Sequence, residues 1–221
     1  MSEADWPAVD DYIAGHLLKG DAAIEGVIAA NASAGLPAID VSATQGKMLR
    51  LLARGVGARR ILEIGTLGGY STIWLAGALP ADGRLVTLEL DAHHAEVARG
   101  NIARAGFAER VEVRLGRAVE TLQAMIDAGE APFDFVFVDA DKESCVDYLR
   151  AALVLSRPGT MIVFDNVVRE GAIVDPTNTD PRVRGTRALF EAMAAEPRIS
   201  ATAIQTVGAK KWDGFALAIV D

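Results

Sequence analysis

Apolar residues follow two different spacings along this chain, one helical and one strand-like, and the changeover falls near Arg60. From residue 4 to residue 55 they recur three or four apart, at Ile13 and Leu17, at Ile24, Val27 and Ile28, and at Met48, Leu51 and Leu52, with a break at Gly35-Leu36-Pro37. This stretch reads as a helical preface. Beyond Arg60, short apolar runs at Ile61–Ile64, Leu85–Leu90, Val111–Leu115, Phe133–Val138 and Met161–Phe164 alternate with helical stretches starting at Tyr70, Ala92, Ala118 and Glu143. That alternation predicts a parallel sheet with right-handed crossovers, and a continuous run such as Phe133–Val138 suits a central strand covered on both faces. A doubly wound α/β fold follows. The last two runs, Ile199–Val207 and Phe215–Val220, are separated only by Gly208–Gly214, which is too short for a helical crossover. They are expected to close a mostly parallel seven-stranded sheet with an antiparallel hairpin at its edge.

Nothing in the 221 residues, 51% of them hydrophobic, splits the chain into two bodies. It reads as one domain, with residues 1–58 as a helical cap and 59–221 as the core. A net charge of −8 argues against a polyanionic partner, since nucleic-acid binders present a basic face, and leaves small-molecule chemistry as the expectation. A lone cysteine, Cys145, excludes an intramolecular disulfide, and the acidic start Met1–Asp5 does not resemble a signal peptide, so a cytoplasmic protein is expected. No apolar run approaches the ~20 residues of a membrane-spanning helix, so no membrane partner is expected. Asn31-Ala32-Ser33 is formally a glycosylation acceptor, without consequence inside a cell.

Candidate chemistry gathers where strands end. Gly65, Gly68 and Gly69 follow the first strand and precede a helix, a turn that lets a ligand approach exposed backbone amides. Leu67 stands where a dinucleotide fingerprint needs its second glycine, which counts against a nicotinamide cofactor. Glu89 ends the second strand, a position from which an acid can accept hydrogen bonds from ribose hydroxyls. Asp139, Asp165 and Asn166 close two further strands and offer three oxygen donors without histidine or cysteine, a set suited to Mg²⁺ or another hard divalent ion. Taken singly, either acid reads as a helix cap and Asn166 as a turn residue. Together with Lys142 they read as a site, in which a dication would push the lysine pKa down and let it act as a base. His16, His93 and His94 show no ligand spacing, His93-His94 being read as an exposed first helical turn. Cys145 is read as core beside Leu149, and Lys210, Lys211 and Trp212 as a solvated hairpin tip or, less readily, part of a site rim.

These positions resemble the cation-dependent class I O-methyltransferases that use S-adenosylmethionine, the group that includes the catechol and caffeoyl-CoA enzymes and their bacterial relatives. The resemblance runs from Thr44-Gln45-Gly46-Lys47-Met48-Leu49 through Leu62-Glu63-Ile64-Gly65-Thr66-Leu67-Gly68-Gly69-Tyr70-Ser71, Arg117-Ala118-Val119-Glu120, Val138-Asp139-Ala140-Asp141-Lys142 and Asp165-Asn166 to Asp213-Gly214. It implies a Rossmann-like fold and a homodimer. It also implies that Val41, Glu63, Gly65, Thr66 and Ser71 meet the methionine part of the cofactor, Glu89 the ribose and Ala118 the adenine surround, with Asp139 and Asp141 near the sulfonium. Asp139, Asp165 and Asn166 would hold Mg²⁺, Mn²⁺ or Ca²⁺, and Lys142 would take the proton of a chelated catechol-like acceptor. The loop Val167–Pro176 lacks the Trp-Asn-Gly usual in the plant enzymes, so the resemblance leaves the acceptor open. Methylation of a hydroxylated transfer-RNA base, a nicotinamide-dependent oxidoreductase and a non-catalytic cofactor sensor are the alternatives; charge, Leu67 and the intact acidic set respectively weigh against them.

Overall fold

The computed structural model describes residues 5–18 and 23–221. Residues 4 and 19–22 of the expected preface, and the first four residues of the acidic start, lie outside them. The preface forms three helices, α1 (Trp6–Leu17), α2 (Val27–Ser33) and α3 (Ala43–Gly55). Ser42 caps α3 by accepting a hydrogen bond from the Gln45 amide. Then β1 (Arg60–Ile64), α4 (Tyr70–Ala76), β2 (Arg84–Glu89), α5 (Ala92–Arg104), β3 (Val111–Leu115), α6 (Ala118–Asp127), β4 (Phe133–Val138), α7 (Cys145–Val154) and β5 (Ser156–Asp165) alternate as the periodicity predicts.

The described residues form one sheet in the order β3-β2-β1-β4-β5-β7-β6, with β6 (Ile199–Gly208) and β7 (Lys211–Val220) as the C-terminal hairpin. The strands from β3 to β5 pair in parallel, and β7 alone runs antiparallel to its neighbours. Alternation along β1 sends Leu62 and Ile64 into a core with Val136, Val138, Tyr148 and Leu149, and Ile61 into one with Phe135, Phe137, Leu49 and Trp74. Helices α6, α7 and α8 (Pro181–Ala195) cover the first core and α3, α4 and α5 the second. The order reverses between β1 and β4, so the crevice beyond their carboxyl ends is the natural ligand site.

Three details differ from the pattern reading. The long crossover from β5 to β6, to which periodicity assigns no element, contains short 3₁₀ turns broken by a left-handed kink at Glu170-Gly171 (within Arg169–Val174) and α8, capped by Asp180. Pro181 at its first position and the single buried stripe Val183, Leu189, Met193 explain why its apolar signal is weak. Strand β5 starts at Ser156 rather than Met161, because a register shift between Phe133 and Phe135 of β4 absorbs Pro158-Gly159. The hairpin loop is only Ala209-Lys210: Lys211, Trp212 and Asp213 pair with Gly208, Val207 and Thr206, so the ladder continues into residues that look like a turn.

Helix α3 packs so closely on α4 that a Cβ on Gly46 would lie 2.2 Å from the buried Trp74 ring. Gly46→Ala is therefore expected to destabilise the protein by roughly 1–3 kcal/mol despite its better helix propensity. At Gly55 the space around an added Cβ is open, and Gly55→Ala is expected to be neutral or to add up to about 1 kcal/mol. Denaturant unfolding of both variants checks this; stabilisation by both would mean that Trp74 yields without cost.

Candidate active site

The turn after β1 is locked at both ends. The Gly65 amide donates to Leu88 O at 3.0 Å, and the Asp139 amide to Ile64 O at 2.9 Å. Gly65 has φ +100°, and a Cβ there would stand 2.1 Å from the Asp139 carbonyl oxygen. No side chain fits at this crossing of the β1 and β4 ends. Leu67 also takes a left-handed φ of 49°, and Gly69 (φ +83°) caps α4.

Glu89 reaches back from β2 to hold this turn. Its Oε2 accepts from the Thr66 and Leu67 amides at 3.2 and 2.7 Å, and its Oε1 from the Leu90 and Asp91 amides, both at 2.9 Å. A carboxylate offers about four lone-pair sites. The side chain expected to read a ribose is thus already a rigid clamp, fixed in orientation before any ligand arrives. His94 Nδ1 stands 3.7 Å from Glu89 Oε1. His93-His94 does form the first turn of α5, capped by Asp91, but His94 is half-buried against the cleft rather than exposed.

Glu63 is fully buried one strand position before Ile64. It accepts hydrogen bonds from Ser71 Oγ (2.6 Å), Thr87 Oγ1 (2.7 Å) and Thr72 Oγ1, and Thr87 continues to Thr66 Oγ1 at 2.6 Å. Burial pushes its pKa up to about 7, an effect the three hydroxyls oppose and the Asp139 charge reinforces. Glu63 does not reach the cavity wall, whereas Ser71 and Thr66 do. It meets the site through their hydroxyls.

At the ends of β4 and β5 stand the other acids. Asp165 is 5% exposed, and its Oδ1 accepts from the Asn166 amide at 2.8 Å. Burial first, and the neighbouring Asp139 charge second, push its pKa up to about 7, against the pull of Lys142. Lys142, 6% exposed, donates from Nζ to Asp139 Oδ1 at 3.1 Å. Burial disfavours its charged form, yet Asp139 and Asp165 outweigh that and hold its pKa above the ordinary value. Asp141 caps the short 3₁₀ turn Lys142–Ser144 through the Ser144 amide and accepts from the Tyr148 hydroxyl. Burial works against its ionised form, but those bonds prevail and keep its pKa low. Cys145 is buried beneath this turn with its thiol pushed up to about 11 by burial, an inert core residue.

Two adjoining cavities meet at this edge. The larger, about 790 Å³, is lined by Val41, Gly65, Thr66, Ser71, Glu89, Ala118, Asp139, Asp141, Lys142 and Asn166 among others. The smaller, about 430 Å³, is walled by Gln45, Met48, Asp165, Asn166, Lys210, Lys211 and Phe215. Ile39, Asp40, Val41, Asn166 and Arg169 belong to both walls. Of the expected site residues only Glu63 stands back from the cavities, and Lys210 and Lys211 are rim rather than free tip. Sequence reading gave no site role to Gln45, His94, Tyr148 or Arg169; the one local signal for Arg169 is its place just after the Asp165-Asn166 pair. Among the described residues no three His, Cys, Asp or Glu side chains cluster as a metal site. The expected donor set has only two carboxylates and completes itself with the Asn166 carboxamide. All-oxygen donors beside a carboxylate pair fit a hard divalent cation.

Comparison with known proteins agrees with this geometry. A family profile described as O-methyltransferase matches residues 21–218. A catechol O-methyltransferase from Niastella koreensis is 48% identical over 220 residues, 100% of both chains. The crystal structure of an O-methyltransferase from Bacillus cereus in complex with SAH has a TM-score of 0.97 and 55% identity, each chain covered completely. That of TomG from Streptomyces achromogenes, an O-methyltransferase involved in tomaymycin synthesis, in complex with SAM, has a TM-score of 0.95 and 50% identity, covering 100% of this chain and 99% of the other. The chain belongs to the O-methyltransferase family, and its sheet is the Rossmann-like fold of the class I methyltransferases.

The buried Glu63 carries a pH signature. Its folded pKa of about 7 lies above the ordinary carboxyl value of 4.5, so the unfolded chain ionises first as pH rises. Stability is full below pH 4.5, falls between there and about pH 7, and then levels off; the loss is on the order of 3 kcal/mol. Glu63→Gln is expected to remove this part of the slope, read as the difference between wild-type and variant unfolding free energies at pH 5 and pH 8. Parallel slopes would show that Glu63 ionises normally.

Proposed function

We propose that this chain transfers a methyl group from S-adenosylmethionine to one hydroxyl of a vicinal diphenol. What carries the reading is the placement of Asp139, Asp165, Asn166 and Lys142 on the seam between a large cleft and a smaller one. The large cleft has the amide-lined turn, the fixed Glu89 carboxylate and the Ala118 wall suited to a nucleoside, and relatives over half identical to this chain or nearly so are solved with SAM or SAH. The smaller cleft, with Met48 and Phe215 in its wall, suits an aromatic acceptor.

Asp139, Asp165 and Asn166 would hold the divalent cation, Mg²⁺, Mn²⁺ or Ca²⁺. When bound, it supplies positive charge that offsets the two carboxylates and favours the ionised acceptor hydroxyl. The need is real: a phenol of pKa ~10 is only about 0.1% ionised at neutral pH, a deficit of roughly 4 kcal/mol. Lys142 receives the hydroxyl proton at Nζ, and Asp139 orients that amine through their 3.1 Å hydrogen bond. Asp139 and Asp165 favour the ammonium form of Lys142, and positive charge bound between them would favour the free amine that takes the proton. With the acceptor oxygen in line with the methyl–sulfur bond, the O–C bond would form as the C–S bond breaks, and the sulfonium would leave as the neutral thioether S-adenosylhomocysteine. Asp141, expected near the sulfonium, lines the same cleft.

The reading includes a homodimer. Helix α1 buries none of its side chains, and Tyr12 and Leu17 are 68% and 70% exposed. No helix among the described residues is long and apolar enough to cross a membrane. With Cys145 reduced and buried, a cytoplasmic small-molecule enzyme, not one acting on nucleic acid, is the compartment and class we assign.

With labelled S-adenosylmethionine and a panel of vicinal diphenols, turnover is expected in Mg²⁺ and should disappear with excess chelator. Asp165→Ala and Asn166→Ala should each cut turnover more than about 100-fold while S-adenosylhomocysteine affinity, by calorimetry, changes less than about 3-fold. Equal loss of both would sink this division between metal and cofactor residues. Light scattering after size exclusion should give twice the mass of one chain, and Leu17→Glu should halve it.

A further inference from the structure

Arg169 is placed unlike any other cation near the site. Three residues past Asn166, it lies in the wall of both cavities. Its φ is 55° and that of Glu170 is 52°, two successive non-glycine residues in the left-handed region, a conformation that persists only where surroundings impose it. Asp213 imposes it here: one carboxylate oxygen accepts from the Val168, Arg169 and Gly214 amides at 2.9, 3.1 and 3.0 Å. The side chain so placed carries a buried Nε with no hydrogen-bond partner in the protein, and among the described residues it makes no salt bridge. Its charge reaches Asp180, which already pairs with Arg182.

Of the remaining charges of the smaller cavity, all but the exposed Lys211 are engaged within the protein. Asp10 accepts from the Ala209 amide, Asp40 from Asn31 Nδ2, and Asp165 sits with Lys142. Lys210 donates to the Ala38 carbonyl, and Lys211 is exposed at the hairpin turn. A buried guanidinium N–H without a partner costs stability unless a ligand completes it, and a guanidinium is matched in shape by a carboxylate. Resting on the methyltransferase reading above, we infer that Arg169 is the residue that selects the acceptor, pairing with a carboxylate on it. The acceptor is thus an anionic vicinal diphenol, an aromatic acid bearing two adjacent hydroxyls, held at its acid end by Arg169 and at its diphenol end by the acids of the seam.

The test compares two acceptors that differ only in that charge, 3,4-dihydroxybenzoate and its methyl ester, on wild-type enzyme and on R169Q and R169K, with thermal unfolding recorded for each. Wild type is expected to favour the acid in kcat/KM. R169Q should lose roughly 10- to 100-fold on the acid, mostly in KM, and less than about 3-fold on the ester, while R169K recovers part of the loss. Wild-type preference for the ester, or equal loss on both acceptors, overturns the inference. Weaker S-adenosylhomocysteine binding by R169Q also overturns it, by assigning the guanidinium to the carboxylate of the cofactor. Should R169Q fail to fold, the wild-type acid-to-ester ratio and R169K still decide. If wild type methylates neither acceptor, nor any neutral catechol, the reaction assignment fails instead, and that result is distinct from a reversed preference.

Discussion

At the carboxyl edge of the sheet the ends of β1 and β4 pass each other at a distance that leaves no room for a Cβ on residue 65, and most of the site depends on that contact. Gly65 lies against the Asp139 carbonyl, and the turn that follows goes left-handed at Leu67 and Gly69 and presents its amides inward. Those amides need an acceptor, and Glu89 supplies one carboxylate for two amides of this turn and two of the next. The same contact fixes the backbone of Asp139, so the residue nearest to Lys142 is placed by packing rather than by its own side chain. A glycine at one crossing therefore sets the floor of the large cleft and one wall of the seam together.

Acids at this edge do different work according to what surrounds them. Glu89 sits among donors and acts as a clamp. Glu63, buried among hydroxyls, and Asp165, buried beside Asp139, have carboxyl groups that resist ionisation. Asp134, also in β4, points the other way along the sheet, where it accepts from the Arg59 and Arg60 amides and pairs with Arg157, and it serves only to pin the start of β1. The loop after β5 repeats the clamp principle: Asp213 on β7 gathers three amides and so holds Arg169 in a conformation it would not choose alone. Left-handed strain and buried acids lie together at one edge, as expected where a fold spends stability on chemistry.

Much of this architecture could be read from the chain before any coordinates. Five strands appear as β-branched or aromatic runs because both faces of a central strand are buried and periodicity reports burial directly. Their acidic endings mark the edge where ligands bind, and the motifs around Glu63, Asp139 and Asp165 point to the family. Helix α8 was less legible, since only one narrow stripe of it is apolar. The hairpin ladder runs through Lys211, Trp212 and Asp213 because backbone pairing is indifferent to side chains that look like a turn.

The sequence by itself determined the strand–helix order, the strands' ends and which residue types stand there, because burial and local backbone preference act over a few residues. The tertiary structure alone decided who faces whom: that Glu63 stands behind Ser71, that Glu89 is oriented by four amides, that Lys142 lies buried beside Asp139 and Asp165, and that Arg169 opens onto both cavities. Those relations join residues many positions apart, and hydrogen bonding and electrostatics in a buried site depend on distance and exclusion of water, neither of which is written in local spacing.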